Sequence, residues 1–330
     1  MAAEPAARPR PGLAKRIRYL LDSALVFGLA GFFRLFDLDT ASNIGGWFGR
    51  NVLNPLLGDK ASRETIVVAF PELDDAGRRA LARQMWDNIG RNLAEIAQLE
   101  RFAGESGKAR FTFEGLEHLE EAMATGKPPI MVSGHFSNWE LAFVASNHSG
   151  LFGAGIVRPP NNPWVAEFIA ERRRKVGFTE QIPKGKDGTR RLFAVLRQGR
   201  SIGLLIDQRL DEGIPVPLFG TEAMTTHAPA TFARKLGLPI VPLAVRRTKG
   251  AHFHAVWHPV VYPKETENSS RDILEMTAAL NRFVETEVRA APGHWLWMHP
   301  RFRRKRTELS RRAGRVVDEA GEGVEGEERP

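Results

Sequence analysis

Apolar residues recur at three- and four-residue spacing through Leu81, Met85, Ile89, Leu93, Ile96 and Leu99, with charges between them. That period predicts an amphipathic helix within residues 73–101, and Trp86 beside Met85 reads as core packing. Beyond Gly107 the pattern changes to short apolar runs separated by helical stretches. Residues 111–113, 129–133, 153–157, 201–206, 239–245 and 253–257 read as strands. Residues 116–125, 140–149, 163–176, 189–198, 231–236 and 271–290 read as helices. Strands alternating with helices imply an α/β layer structure with a largely parallel central sheet flanked by helices. No internal repeat is visible.

Upstream the texture differs. Segment 19–36, YLLDSALVFGLAGFFRLF, is apolar with charges only at Asp22 and Arg34. Its uncharged centre, 23–33, is 11 residues long, short of the ~20 that cross a bilayer. The expectation is a membrane-associated helix anchored at, or lying in, the interface. A signal peptide, for which no clear A-x-A site follows, and a buried core helix are the alternatives. Residues 39–63, rich in Gly, Asn and Pro, are expected to break into short pieces. The chain thus divides into a basic N-terminus with the membrane-associated helix (1–40), a helical segment (41–105), an α/β domain (106–300) and a basic, then acidic, tail (301–330) read as partly disordered.

Composition sharpens this picture. With 330 residues, 42% apolar and 9% aromatic, the chain supports a real core and is not a disordered polymer. The absence of cysteine excludes thiolate nucleophiles, disulfides, iron–sulfur clusters and Cys-ligated zinc. The formal charge of +8 is unevenly spread. Residues 1–18 carry +4 (five basic, one acidic), 301–315 carry +7 (eight and one), and 316–330 carry −5 (one and six). Within the body, residues 171–200 hold ten basic groups against three acids, or +7. Such clusters suit phosphate-bearing or acidic partners: nucleic acid, anionic lipid or an acidic protein.

Candidate chemistry begins at GHFSNWE, residues 134–140, directly after the predicted strand PPIMVS. Ligand chemistry in open α/β sheets gathers at the C-terminal ends of strands. His135 there, with Glu140 five residues on, can form a relay in which Glu140 orients the imidazole and His135 takes a proton from an attacking hydroxyl. The structural alternative is a capping box, with Ser137 as N-cap and Glu140 at N3. Metal binding through His135 and Glu140 lacks a third ligand at close spacing, so no metal is expected. His252, His254 and His258 alternate along a predicted strand without improving that case.

Further polar groups follow other strands. Arg158 ends an apolar strand before Pro159-Pro160, and its planar fork suits phosphate or carboxylate as readily as solvent. Asp207-Gln208-Arg209 ends LLIDQR, where Asp207 and Arg209 can equally be a loop ion pair. The segment GHWLWMHPRF, residues 293–302, joins Trp295, Trp297 and Phe302 to a basic run, which suits base stacking or a membrane interface. Gly199-Arg200-Ser201-Ile202-Gly203 fits G-x-S-x-G, but a helix precedes it and a strand follows, the reverse of a nucleophile elbow. Gly104 to Lys108 has the wrong spacing for a phosphate loop.

The ordered set of H-x4-E at His135 and Glu140, Arg158-Pro159 with Asn162-Pro163, Asp207-Gln208, Phe219-Gly220 with Thr225 and Thr226 downstream, and WLWMHPRF resembles the late acyltransferases of lipid A biosynthesis. This is the lauroyl/myristoyl acyltransferase family, related to glycerol-phosphate acyltransferases, and the resemblance covers roughly residues 15–306. Val157 stands where the family commonly has Tyr, Leu218 where a second Phe is frequent, and Pro300 where a basic residue is usual. The resemblance implies transfer of a fatty acyl chain from acyl carrier protein, without a cofactor, to a hydroxyl of a lipid A precursor at the cytoplasmic side of the bacterial inner membrane. It implies His135 as general base with Glu140 as its orienting partner. Arg158 would meet phosphate or oxyanion, with Asn162, Asp207 and Gln208 shaping the site. Implied partners are acyl carrier protein, the lipid A precursor and anionic inner-membrane lipid, with no nucleic acid. Acylation of another membrane lipid, such as a glycerol phosphate or a glycosylated phosphatidylinositol, is the alternative, with a serine hydrolase or a nucleic-acid-binding protein further behind.

Overall fold

In the computed structural model, which describes residues 12–57 and 60–302, the predicted alternation builds a seven-stranded sheet. Its strands are β1 (Phe111–Glu114), β2 (Ile130–Ser133), β3 (Gly153–Val157), β4 (Gln181–Pro183), β5 (Ser201–Leu205), β8 (Ile240–Arg247) and β9 (Phe253–Trp257). They lie in the order β1-β9-β8-β2-β5-β3-β4. Neighbours pair in parallel except β8 with β9. A separate antiparallel hairpin joins β6 (Ile214–Leu218) to β7 (Thr221–Thr225). Ile130 and Val132 pack into one cluster and Met131 into another, as alternation along a strand requires. The first face is covered by α5 (Asp75–Ile96), α10 (Lys186–Arg197), α11 (Ala228–Leu236) and α12 (Ser269–Ala290), the second by α7 (Leu116–Ala124) and α8 (Leu141–His148). The largely parallel α/β sandwich expected from the pattern is therefore present.

Segment 39–63 breaks into short pieces as expected, and the pieces are helical. It forms α2 (Leu38–Phe48), a π-helical turn (Gly49–Leu53), α3 (Asn54–Leu57) and the start of α4 (Lys60–Ala69). Its glycines are contact points between helices. A Cβ on Gly45 would meet the Gly90 carbonyl oxygen at 2.4 Å, and one on Gly49 would meet that of Trp86 at 2.0 Å. Small residues let α2 and α5 approach backbone to backbone, so glycine here marks packing and not a loop. Strand β4 and the β6–β7 hairpin carry no sequence pattern distinct enough to predict them. The remaining short helix, α6 (Gly104–Lys108), absorbs the phosphate-loop look-alike.

The predicted membrane-associated segment, 19–36, lies in α1 (Leu13–Phe33) except for its last three residues. Only Ser23, Ala30 and Phe33 of this helix are buried, while Leu13, Ile17, Leu20, Leu21, Leu25 and Phe32 are exposed along one stripe. Among the described residues no helix is long and apolar enough to cross a membrane. The helix leans on α9 (Pro163–Lys175) through Phe27 and Phe168, whose ring centroids are 5.5 Å apart. The basic residues before Gly12 and the tail from residue 303 onward lie outside the described residues.

A buried polar network ties α5 to the loop that follows β2. Arg247, at the end of β8, pairs with Glu95, which is fully buried, and donates to Asn92 Oδ1 at 3.1 Å and to the Gly250 carbonyl at 2.8 Å. The side-chain amides of Asn88 and Asn92 both donate to the Ser137 carbonyl, at 2.8 and 2.6 Å, and Asn138 donates to Glu95 at 2.9 Å. The Arg247 backbone N–H donates to Ser137 Oγ at 3.0 Å. Ser137 itself sits at φ 43°, a left-handed conformation that a non-glycine residue holds only when its surroundings impose it.

Two consequences can be measured. Glu95→Ala leaves Arg247 buried without its counter-charge and should cost on the order of 3–5 kcal/mol in urea unfolding; a loss under about 1 kcal/mol would mean that the network does not hold the loop. His294, whose carbonyl accepts the Ser137 N–H at 2.7 Å, has its pKa lowered to about 4 by burial, by Arg247 and by Arg91 against the opposing pull of Asp87. The unfolded chain then binds a proton near pH 6.5 that the fold refuses until about pH 4. Stability from this residue is complete above pH 6.5 and falls on acidification to about 4, and His294→Gln should flatten that slope in pH-dependent melting.

Candidate active site

Strands β2, β5, β3 and β4 are parallel and adjacent, so the residues following each emerge at one edge of the sheet. His135 follows β2 and Asp207 with Gln208 follows β5. One Asp207 oxygen accepts from His135 Nδ1 at 2.7 Å, while the other accepts the His135 backbone N–H at 2.7 Å and Trp295 Nε1 at 2.7 Å. Asp207 is 3% exposed. Burial alone would raise its pKa, but the His135 side chain and backbone together with Trp295 lower it to about 2. An ionised carboxylate only accepts hydrogen bonds, so the proton in the short contact belongs to His135 Nδ1. The lone pair of the neutral ring therefore lies at Nε2, where the Gln208 side-chain amide stands 3.2 Å away. An imidazole with Nδ1–H fixed on a buried carboxylate and its lone pair at Nε2 is arranged to take a proton from a hydroxyl that displaces the Gln208 amide.

Glu140 requires a correction. Its carboxylate forms two hydrogen bonds with the Arg173 guanidinium, at 2.7 and 2.6 Å, and none with His135. Neither the Glu140 relay nor the capping box is realised: α8 begins at Leu141, Glu140 occupies its N-cap position without a side-chain cap bond, and Ser137 is held by Arg247. The five-residue spacing would require the loop to fold back, but Ser137 and Asn138 are drawn toward α5 and Glu140 faces α9 instead. Asp207 comes from 72 residues further along the chain, and only strand order brings it to His135.

Asn162 also has its hydrogen bonds committed elsewhere. Its oxygen accepts the Trp164 N–H at 3.1 Å, capping α9, and its amide donates to the Tyr19 carbonyl at 2.8 Å and Ser23 Oγ at 3.0 Å. It positions α1 against α9. Arg158 is exposed at the end of β3, on the same edge as His135. Asp207 is not a loop partner of Arg209, which pairs with Asp211 at 2.5 Å. No local pattern signals that Trp295 donates to Asp207 or that Arg173 pairs with Glu140, because both links are tertiary.

Trp295 and Trp297 are buried, their centroids 4.6 Å apart. Arg301 is 1% exposed and donates to the Met224 carbonyl at 2.8 Å and Thr225 Oγ1 at 2.7 Å. Trp295, Trp297 and Arg301 are thus core and unavailable for base stacking or a lipid interface, while the basic run from residue 303 lies outside the described residues. His299 is half-buried, with a buried Nδ1 that has no hydrogen-bond partner. Ser201 of the G-x-S-x-G look-alike begins β5, at the sheet edge opposite His135. Among the described residues no group of three or more acidic or histidine side chains is placed to hold a metal ion. His254 meets Glu114 at 2.8 Å, and His258 meets Glu287 at 2.8 Å.

Comparison with known proteins follows the same lines. The lipid A biosynthesis lauroyltransferase of Escherichia coli (strain K12) is 26% identical over 253 residues, 74% of this chain and 78% of the relative. The lipid A biosynthesis palmitoleoyltransferase of the same organism is 23% identical over 257 residues, again 74% and 78%. A phosphatidylinositol mannoside acyltransferase of Mycobacterium tuberculosis (strain ATCC 25618 / H37Rv) is 30% identical over 207 residues, 60% of this chain and 62% of the relative. The sequence profile of the bacterial lipid A biosynthesis acyltransferases matches residues 13–304, nearly the whole described chain. With that span, and a histidine hydrogen-bonded to a buried carboxylate at the sheet edge, the chain belongs to the bacterial lipid A biosynthesis acyltransferase family and is an acyltransferase.

Proposed function

We propose that this acyltransferase moves a fatty acyl chain from the thioester of acyl carrier protein to a hydroxyl of a lipid A precursor, with His135 as general base and Asp207 as its orienting carboxylate. The observation that carries this reading is the contact from His135 Nδ1 to Asp207 at 2.7 Å, which leaves Nε2 as the acceptor. The hydroxyl oxygen attacks the thioester carbonyl carbon while His135 Nε2 takes its proton. The carbon–sulfur bond then breaks and the proton passes to the departing thiolate. No covalent acyl-enzyme forms, so a chain without cysteine suffices. Gln208 marks where the hydroxyl docks, since its amide holds the Nε2 lone pair before substrate enters. Arg158 supplies positive charge at that edge. The buried pair of Glu140 with Arg173 supports the loop bearing His135 without joining the proton transfer.

The location follows from α1. Its exposed apolar stripe, with Lys15, Arg16 and Arg18 near its start, fits a helix lying in an anionic membrane surface. The body then sits on the cytoplasmic side of the inner membrane, where acyl carrier protein is available. A second acceptor is favoured by one observation, the 30% identity to a phosphatidylinositol mannoside acyltransferase; the same residues would acylate a glycosylated phosphatidylinositol by the same steps.

In assays with acyl carrier thioester and purified acceptor, His135→Ala and Asp207→Asn should each lower kcat on the order of 10²–10⁴-fold. Glu140→Gln should chiefly lower stability, with the folded enzyme remaining far more active than His135→Ala. Equal losses in Glu140→Gln and His135→Ala, with Asp207→Asn spared, would return the orienting role to Glu140. In cells, lipid A with and without this chain should differ by the mass of one acyl group; an unchanged lipid A beside a changed glycolipid would select the second acceptor.

A further inference from the structure

Resting on that reading, we propose that His299 is a further catalytic residue, whose Nε2–H donates a hydrogen bond to the thioester carbonyl oxygen as it becomes an oxyanion. The steps above leave that charge without a partner. When the hydroxyl attacks, the carbonyl π pair moves to oxygen, but His135 is taking a proton and Asp207 is itself anionic. Arg158 is exposed after β3, two strand places from β2, or about 10 Å at the usual strand spacing.

Contacts on either side of His299 fix its place beside the catalytic pair. Phe136, next to His135, forms an antiparallel bridge with Trp295, whose indole N–H donates to Asp207 at 2.7 Å. Trp297 packs edge-on against Trp295, and the His299 backbone N–H donates to the Leu296 carbonyl at 3.5 Å, a turn that keeps His299 close to Leu296. Arg301, buried and bonded to the Met224 carbonyl and Thr225 Oγ1, anchors the other end. His299 thus stands between two fixed points with its side chain half-buried.

Its two ring nitrogens differ in their surroundings. Nδ1 is buried with no hydrogen-bond partner among the described residues, whereas Nε2 is not buried and is likewise unpartnered. A buried N–H without an acceptor is tolerated less often than a buried lone pair, so the neutral ring leaves Nδ1 bare and carries its proton on Nε2. The imidazolium would add an unmet N–H at Nδ1. Burial disfavours it further, and His135, Arg301 and Lys184 add to that effect against the pull of Asp207, so the pKa lies below the ordinary histidine value. Both members of the catalytic pair act on the His299 charge, as neighbours do. A histidine held neutral with its lone pair sealed inward does not exchange protons with substrate; it donates a hydrogen bond. Such a donor stabilises a growing oxyanion without competing with the base. His299 keeps its proton throughout, and the electron pair returns from oxygen to carbon as the carbon–sulfur bond breaks.

The test measures kcat and KM of the full-length enzyme with acyl carrier thioester and purified acceptor for His299→Phe, His299→Ala and His299→Gln, beside His135→Ala. His299→Phe and His299→Ala should lower kcat on the order of 10²–10³-fold, with both KM values within about twofold of native, because the bond strengthens only in the transition state. His299→Gln, which keeps an N–H donor, should recover most of that loss. A lowered Tm in His299→Phe with kcat unchanged, a rise in KM alone, or a His299→Gln as slow as His299→Phe would overturn the proposal while leaving His135 as base. An active His135→Ala would instead overturn the reading beneath it. In ¹⁵N-labelled enzyme the His299 ring, assigned by its disappearance in His299→Gln, should be the neutral Nε2–H tautomer at neutral pH. The Nδ1–H tautomer or the imidazolium there would overturn the proposal whatever the acceptor.

Discussion

The buried ion pair between Glu95 and Arg247 is the constraint on which the site depends. Neither charge is stable in an apolar interior unless both are neutralised and their remaining hydrogen bonds met. The chain meets this demand by collecting Ser42, Asn92, Asn138 and the Gly250 carbonyl around the pair. Asn92 and Asn88 grip the Ser137 carbonyl and the Arg247 backbone N–H grips its Oγ, holding Ser137 at a positive φ where the loop after β2 turns and His135 faces β5. Helix α5, distant from the reacting groups in sequence, thus decides the direction of the histidine.

Once His135 faces β5, electrostatics does the rest. Asp207 is buried, which by itself would neutralise it, but three donors aimed at its two oxygens keep it ionised far below neutral pH. Ionisation fixes the tautomer of His135, and the tautomer places the basic lone pair at the open nitrogen. Trp295 links the C-terminal segment to this arrangement, since its indole N–H is one of the three donors and its ring packs on Trp297 in the core. Loss of the terminal segment would therefore reach His135 through Asp207.

Much of the sandwich was legible because each element repeats its own period. The strands from residue 111 onward and the helices between them follow from alternation and from three- and four-residue spacing, and β3 coincides with the predicted 153–157. Residues 39–63 were legible as short pieces, but not what their glycines do, because glycine signals both turns and close helix contacts and only the partner helix distinguishes them. Strand β4 is three residues long, below the length at which a period can be recognised. Glu140 was misassigned for a related reason: proximity in sequence suggested a partner that the turn at Ser137 carries away toward Arg173.

By itself the sequence determined the layer architecture, the family, the histidine at the end of β2 and the polar pair after β5, since these rest on local periodicity and on ordered motifs. Only the tertiary structure decided that Asp207 orients His135, that Glu140 neutralises Arg173, that Asn162 fastens α1 to α9, and that the tryptophans of the last segment are core. Hydrophobic period is written every few residues along a chain. The partner of a buried charge is set by which strands lie side by side, and the order β2-β5-β3 brings together residues more than seventy positions apart.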